Sequence, residues 1–181
     1  MKNLGLRNLM LAAALVAAPA VVANAAVEYS PAEQLTKKVR HELVTLPFLG
    51  VFDNLAFRID DGVVTLMGQV NRPTLKSDAE RVVARIEGVR GVVNQVEVLP
   101  LSPYDDRIRL AVLRAVYGYP ALQRYALGAQ PSIRIIVKNG EVTLEGVAAN
   151  EGDKNIINLR ANGVAGVFRV TNNLSVEKRK A

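Results

Sequence analysis

The sequence predicts an α+β protein of two tandem αββαβ domains, each a three-stranded sheet with two helices packed on one face. Three observations predict this: an internal repeat, apolar alternation that runs into hairpin turns, and amphipathic segments with helical spacing. The segment Asp61–Gly68 returns as Asn139–Gly146 at an offset of 78 residues, and Gly88-Val89 returns as Gly166-Val167 at the same offset. What repeats is framework, namely turn glycines and apolar strand positions, so the repeat sets the domain count and argues against a reaction centre.

Each copy begins with an amphipathic helix. Apolar residues recur at every fourth position, and a proline follows the helix in both copies. These residues are Leu35, Val39, Leu43 and Pro47 in the first copy, and Ile108, Val112, Val116 and Pro120 in the second. The second copy has about five extra residues between Pro120 and its first strand.

A β-hairpin follows each helix. Leu55, Phe57 and Ile59 alternate with Ala56, Arg58 and Asp60 and lead into Asp61-Gly62, and the second copy leads into Asn139-Gly140 in the same way. These dipeptides tolerate the positive φ angles of a type I′ turn. On the outward face of the returning strands, Glu141, Thr143 and Glu145 suit solvent, whereas Val63, Thr65 and Met67 are half-apolar, which favours a covered face.

A second helix and a third strand complete each copy. The helix carries Ala79, Val82, Val83 and Ile86 in the first copy and Ile156, Ile157, Ala161 and Val164 in the second. The third strands span Val92–Val98 and Val170–Val176, with Asn94 and Asn172 on the inward face. Because a buried amide needs partners, we expect a local bulge or a structural hydrogen bond there. The domains are placed at residues 33–100 and 104–178, joined by a short proline-bearing connection that favours two copies packed together.

Residues 1–25 are predicted to be a signal peptide rather than part of the fold. Lys2 and Arg7 precede an apolar run, and Ala23-Asn24-Ala25 is a small-x-small cleavage pattern, so cleavage is expected after Ala25. The alternative, a transmembrane anchor, is disfavoured because the run is shorter than the about 20 residues that span a bilayer. We therefore expect an exported, periplasmic protein with no transmembrane segment in the mature chain.

Charge and cysteine content narrow the function further. The chain has 23 Lys and Arg against 17 Asp and Glu, a formal charge of +6, and it has no cysteine. The absence of cysteine excludes disulfides, thiolate metal sites and a lipoprotein anchor. The mild basic excess suits anionic surfaces, and we expect no nucleic-acid partner, no cofactor and no metal.

Catalytic chemistry has little support in the sequence. His41 lies off the apolar stripe, and no serine lies in a nucleophile motif. The adjacent pairs Asp60-Asp61 and Asp105-Asp106 are most simply explained by turn formation and by helix N-capping, respectively. The sequence predicts that the protein is not an enzyme.

The first helix of the second copy is the candidate binding surface, because it is apolar on more than one side. Leu110, Leu113 and Tyr117 add a second stripe, and arginines and tyrosines surround it; this combination suits a membrane interface. The alternative is that the stripe is buried between the repeats, against Val63 and Met67. The candidate lipid-binding residues are Arg107, Arg109, Leu110, Leu113, Arg114, Tyr117, Tyr119, Arg124 and Tyr125. A second, weaker candidate is the loop with Phe48, Leu49, Val51 and Phe52.

The repeated pattern Asp-Gly-x-Val-x-Leu-x-Gly, followed by a helix and Gly-Val-x-x-Val-x-Asn, resembles the BON domain. The resemblance covers roughly residues 33–178. The layout of the chain is similar to that of tandem BON proteins of the osmotically inducible periplasmic type. It implies an αββαβ fold and non-enzymatic roles at the cell envelope, often phospholipid binding. The motif residues that carry it are structural: Asp61, Gly62, Gly68, Gly88, Asn139, Gly140, Gly146 and Gly166.

Three functional hypotheses follow. The first is an envelope protein that binds anionic phospholipid surfaces, with a role in envelope or osmotic stress. The second is a soluble periplasmic chaperone or protein-interaction module, and the third is small-ion binding by a carbonyl-rich loop between the copies. Exposure of Leu110, Leu113 and Tyr117 would favour the first, and their burial would favour the second.

Overall fold

The computed structural model describes residues 30–127 and 130–177. The predicted signal peptide lies outside the described residues. The first domain contains α1 (Pro31–Val44), β1 (Asn54–Asp60), β2 (Val63–Val70), α2 (Pro73–Ala84), β3 (Gly91–Asn94) and β4 (Glu97–Val98). The second contains α3 (Pro103–Tyr117), a 3-10 helix (Pro120–Ala126), β5 (Ile133–Lys138), β6 (Glu141–Ala148), α4 (Glu151–Asn162), β7 (Arg169–Asn172) and β8 (Ser175–Val176).

The two sheets have the same topology. In the first, β2 is central: it pairs antiparallel with β1 and parallel with β3 and then β4 along its other side. The second sheet repeats this arrangement with β6 at its centre. Both helices of each domain share one apolar core with its sheet, which confirms the predicted two-layer α+β architecture.

The predicted third strand is divided in two, and an asparagine explains the break in each copy. Asn94 Nδ2 donates to the Lys76 carbonyl, and its Oδ1 accepts the Val96 N–H. Asn172 makes the equivalent bonds to Lys154 and Leu174. The side chain therefore ties the interrupted strand to the second helix. Of the two predicted alternatives, the structural hydrogen bond is confirmed, whereas the pairing register continues across the break without the extra residue of a bulge.

Each domain has its own apolar core. Val39, Leu43, Val64 and Leu66 are buried in the first, together with Leu75, Ala79 and Val83 from α2. The second core contains the corresponding residues, except that Asp153 stands where the first domain has Leu75, and it adds Leu122 and Tyr125 from the 3-10 helix, which is the segment of extra residues noted in the sequence. The insertion thus enlarges the core of the second domain.

The hairpin turns explain the repeated glycines. Asp61 and Gly62 have φ angles of 47° and 80°, and Asn139 and Gly140 have 52° and 76°, as a type I′ turn requires. Gly146 has a φ of 121°, and a Cβ there would overlap the Ser132 carbonyl oxygen. The repeated motif is therefore needed for the backbone path.

The domains contact each other through the loop that precedes β1. The Ile135 N–H donates to the Val51 carbonyl at 2.8 Å, and Arg134 Nη1 donates to the Gly50 carbonyl at 2.9 Å. Val51 and Phe52 pack against the core of the second domain. The first domain thereby covers part of the free edge of β5. An uncovered edge strand would leave its N–H and C=O groups open to pairing with other chains.

Candidate functional site

Helix α3 begins where its sequence provides a cap. The Ser102 hydroxyl oxygen accepts the Asp105 N–H, and Pro103 occupies the first helical turn, where its missing N–H costs nothing. Ile108, Val112 and Val116 lie at helical spacing and are buried in the second core. This anchored face determines which side chains of α3 remain available for binding.

The second apolar stripe of α3 is divided between exposed and packed residues. Leu110 is 45% exposed, whereas Leu113 and Tyr117 are half-buried against the core of their own domain. Tyr117 Oη donates to the Ile133 carbonyl at 2.6 Å. Leu113 and Tyr117 pack within the second domain, so the predicted burial of the stripe between the repeats is replaced by packing of these two residues within one domain.

Arg109 is not a surface residue, and its place among the candidate lipid contacts is wrong. Its side chain is 2% exposed and forms an ion pair with Asp106. One guanidinium nitrogen donates to the Val137 carbonyl at 2.7 Å. A buried, bonded arginine fastens the helix to the end of β5 and cannot meet a headgroup.

Tyr125 is likewise buried, and Arg124 is engaged beside it. The Tyr125 hydroxyl and the Arg124 guanidinium both bond to the Asp153 carboxylate, and the Tyr125 oxygen accepts the Ala149 N–H at 2.8 Å. Tyr119 is half-buried, with the Arg160 guanidinium over its ring at 5.1 Å. These residues connect the 3-10 helix and α3 to α4, which makes them structural.

Three of the predicted residues form an exposed row on α3. Arg107, Leu110 and Arg114 lie at positions i, i+3 and i+7, and all three are exposed. Helical geometry places such residues on one face. Among the described residues Arg114 forms no ion pair.

An aromatic pair that the sequence did not single out extends this row. Tyr104 and Phe168 stack with ring centroids 6.1 Å apart, and the Arg107 guanidinium lies 5.8 Å from the Tyr104 centroid. Phe168 is 74% exposed. The only signal in the sequence was an aromatic residue at the position that Arg90 occupies in the first copy. We call Tyr104, Arg107, Leu110, Arg114 and Phe168 the α3 outer surface.

The second candidate surface, the loop that precedes β1, also contains both exposed and packed side chains. Phe48 is 74% exposed, has a φ of 66° and lies under the Arg72 guanidinium at 5.1 Å. Leu49 packs against the first core, whereas Val51 and Phe52 pack against the second. The loop therefore joins the domains and leaves a single exposed aromatic ring.

Burial shifts the pKa values of two side chains near the domain contact, Tyr117 and Arg134. Burial raises the pKa of the Tyr117 phenol to about 12, although the charge of Arg134 acts in the opposite direction. Burial lowers the pKa of the Arg134 guanidinium, and the charges of Tyr117 and Asp53 oppose this. Both groups are held by backbone carbonyls, which suits a structural role.

The acidic pairs have different roles. Asp60 pairs with Arg58, and Asp61 forms the hairpin turn, as predicted. Asp105, however, does not cap α3: its buried carboxylate accepts the N–H groups of Asn139 and Gly140 at 3.0 and 2.8 Å. The prediction for this pair is wrong, because a contact distant in sequence takes the carboxylate.

Other site types find no support in the part of the chain that the structure describes. His41 is exposed on α1. Across residues 30–127 and 130–177 no cluster of three His, Cys, Asp or Glu side chains could hold a metal ion. Over the same residues no helix has the length and apolar content to cross a bilayer.

These features define a class of protein: two copies of a small αββαβ module whose repeated motif supports the backbone. The family model for the BON domain matches residues 31–100 and 105–178. The chain therefore belongs to the BON domain family, which confirms the resemblance seen in the sequence. Proteins of this family are generally non-catalytic, interact with lipids or proteins, and are typically periplasmic.

Comparisons with individual proteins add little to this. No curated protein matches the chain. The chain is similar to CdsD, a structural protein of the type III secretion system of Chlamydia trachomatis, with 15% identity, a TM-score of 0.29, and coverage of 80% of this chain and 92% of that one. A structure of the CdsD C-terminal domain shows 14% identity, the same TM-score, and coverage of 80% and 98%.

Proposed function

We propose that this protein is a non-enzymatic, periplasmic envelope protein that binds anionic phospholipid surfaces through the α3 outer surface. The observation that carries the proposal is the exposed row of tyrosine, arginine and leucine side chains along α3, with Phe168 stacked on Tyr104 at one end. Leucine and phenylalanine can enter the acyl boundary, tyrosine suits headgroup depth, and arginines meet phosphate groups. A role in envelope or osmotic stress is part of this proposal.

The charges favour reversible attachment. A basic residue near an anionic surface contributes about 1 kcal/mol, so Arg107 and Arg114 together contribute about 2 kcal/mol. Leu110 and Phe168 add apolar burial, worth about 25 cal/mol for each Å² removed from water. Contributions of this size predict binding that high salt weakens.

The test is vesicle flotation at low and high ionic strength. We expect the protein to float with anionic phosphatidylglycerol vesicles at low salt and to dissociate at high salt. Arg107→Glu/Arg114→Glu should reduce the bound fraction at least ten-fold, since two favourable charges become two repulsive ones. Arg124 is excluded from this design because a glutamate there would face Asp153.

The matched control carries the same charge change in the first domain. Arg40 and Arg85 are exposed, and Arg40→Glu/Arg85→Glu should bind far better than the α3 variant. Equal loss in both double variants would mean that net charge alone matters and would refute the α3 outer surface. Absence of wild-type flotation at low salt would refute phospholipid binding.

The alternative is a chaperone or protein-interaction module. It is favoured by the packing of Leu113 and Tyr117 within the second domain, because only Leu110 of the three diagnostic residues is exposed. This alternative predicts suppression of client aggregation with no dependence on lipid.

A further inference from the structure

The two domains differ at the turn end of their hairpin, where the first has a cavity and the second has side chains. The cavity measures about 660 Å³ and is open to solvent. It lies between the start of α1, the Asp61-Gly62 turn and Gly88. The corresponding place in the second domain is occupied by Tyr104, Asp105 and Arg109.

The cause of the cavity follows from the correspondence between the first helices of the two copies. Val39 and Leu43 correspond to Val112 and Val116, an offset of 73 residues. By this offset Pro31 replaces Tyr104, Ala32 replaces Asp105 and Thr36 replaces Arg109. All three replacements are smaller, and all three line the cavity.

The second domain shows what these positions bind. The Asp105 carboxylate accepts both turn N–H groups, those of Asn139 and Gly140. The Tyr104 hydroxyl donates to the Gly166 carbonyl at 2.7 Å, and its ring stacks on Phe168. An aromatic residue followed by an acidic residue thus satisfies the turn of this domain from within the chain.

The turn of the first domain has the same geometry but lacks that ligand. Its φ angles are within 5° of those of the second turn, and the Arg90 N–H donates to the Gly62 carbonyl as the Phe168 N–H does to Gly140. No carboxylate of the described residues accepts the N–H of Asp61 or Gly62. Adjacent N–H groups in a turn are an anion-binding arrangement.

The charges around the cavity favour a carboxylate held by hydrogen bonds over an anion attracted by net charge alone. Lys38 and Arg90 line it, and so do Asp61 and Glu87, so the formal charges of these four side chains cancel. Affinity must therefore come from the paired N–H donors and from a ring over Arg90, whose stem lies against Gly62. A guanidinium beside an aromatic ring adds a cation–π attraction.

We propose that this cavity binds an acidic peptide segment of a partner protein, in which an aromatic residue precedes an aspartate. The peptide carboxylate accepts the N–H groups of Asp61 and Gly62, and its ring contacts Arg90. A tyrosine hydroxyl donates to the Gly88 carbonyl. This site is separate from the α3 outer surface and does not depend on lipid binding.

The test is a titration of the ¹⁵N-labelled protein with acetyl-Tyr-Asp-amide, followed by amide NMR. We expect saturable shifts of the Asp61 and Gly62 amide signals, and at least ten-fold weaker binding of acetyl-Tyr-Asn-amide and acetyl-Ala-Asp-amide. Ala32→Asp should abolish the response, because it supplies the carboxylate that Asp105 supplies in the second domain. Ala32→Ser, the matched control, should retain it.

Other outcomes overturn the proposal. Equal shifts with the Asp and Asn peptides would exclude recognition of the carboxylate. Equal shifts with inorganic phosphate or acetate would identify a small-anion site in place of a peptide site. Binding that survives Ala32→Asp unchanged would place the peptide elsewhere.

Discussion

Replacing Asp105 by alanine should test how α3 is fastened to its sheet. The carboxylate is fully buried and accepts two backbone N–H groups of the β5–β6 turn. Hydrogen bonds to a charged group contribute about 1.5–3 kcal/mol each, so the two bonds contribute about 3–6 kcal/mol. Removing a buried carboxylate also removes its desolvation cost, which offsets part of this loss. We expect Asp105→Ala to lower the free energy of unfolding of the second domain by about 2–3 kcal/mol.

Tyrosine fluorescence gives a suitable assay because of where the tyrosines lie. The chain has five tyrosines and no tryptophan, and Tyr104, Tyr117, Tyr119 and Tyr125 all belong to the second domain. With a urea m-value of about 1 kcal/mol per M for a small domain, the midpoint should fall by about 2–3 M. The control is Glu141→Gln, which removes an exposed ion pair with Arg169 and should cost less than about 0.5 kcal/mol.

The first domain provides a natural comparison for this variant. Ala32 stands at the position of Asp105, and the Asp61-Gly62 turn keeps its shape without a carboxylate. If Asp105→Ala moved the midpoint no further than Glu141→Gln, the buried carboxylate would be balanced by its desolvation, and the reasoning above would be refuted.

Two further changes test the framework and the domain contact. Gly146→Ala should destabilise the second domain by roughly 2–4 kcal/mol, because the residue has a φ of 121° and its Cβ would overlap the Ser132 carbonyl oxygen. The control is Gly163→Ala, where φ is −77° and the atom nearest to the added Cβ is 3.6 Å away. It should change stability by less than about 0.5 kcal/mol in the same urea assay. Tyr117→Phe should make stability less sensitive to alkaline pH. Folding raises the pKa of the Tyr117 phenol from 10.0 to about 12. The protonated phenol therefore stabilises the fold below pH 10, and this contribution is lost as the pH rises to about 12. Each pKa unit corresponds to about 1.4 kcal/mol, and partial burial of the hydroxyl reduces the total to roughly 1–2 kcal/mol. The measurement is urea unfolding of the wild type and the variant at pH 9 and 11.5. A stability difference between the two proteins that stays the same at both pH values would contradict the prediction.

The elements of the fold follow closely from sequence patterns because those patterns are local. The Asp-Gly and Asn-Gly turns, the alternation of β1 and β5 and the four-residue spacing of α1 and α3 all depend on neighbours within a few positions. Asn94 and Asn172 were placed on the inward face for the same reason. The break that each asparagine makes in the third strand depends on a helix carbonyl 18 residues away, so the sequence could not decide between a bulge and a structural hydrogen bond.

The binding surface was harder to predict, since side chains of one type differ in their partners. Arg107 and Arg109 are two positions apart on α3, yet one is exposed and the other is 2% exposed beneath the β5 carbonyl of Val137. Arg124 and Tyr125 matched the composition of a membrane interface but bind Asp153. Phe168 was overlooked because its partner, Tyr104, lies 64 positions earlier in the chain.

By itself the sequence determined a duplicated αββαβ module, its hairpins and its repeated glycines, because turn chemistry and apolar periodicity act over short distances. Only the tertiary structure decided which arginines and tyrosines face water and why one hairpin turn holds an internal carboxylate while the other faces a cavity. The physical reason is that burial and hydrogen bonding are set by residues brought together from distant parts of the chain.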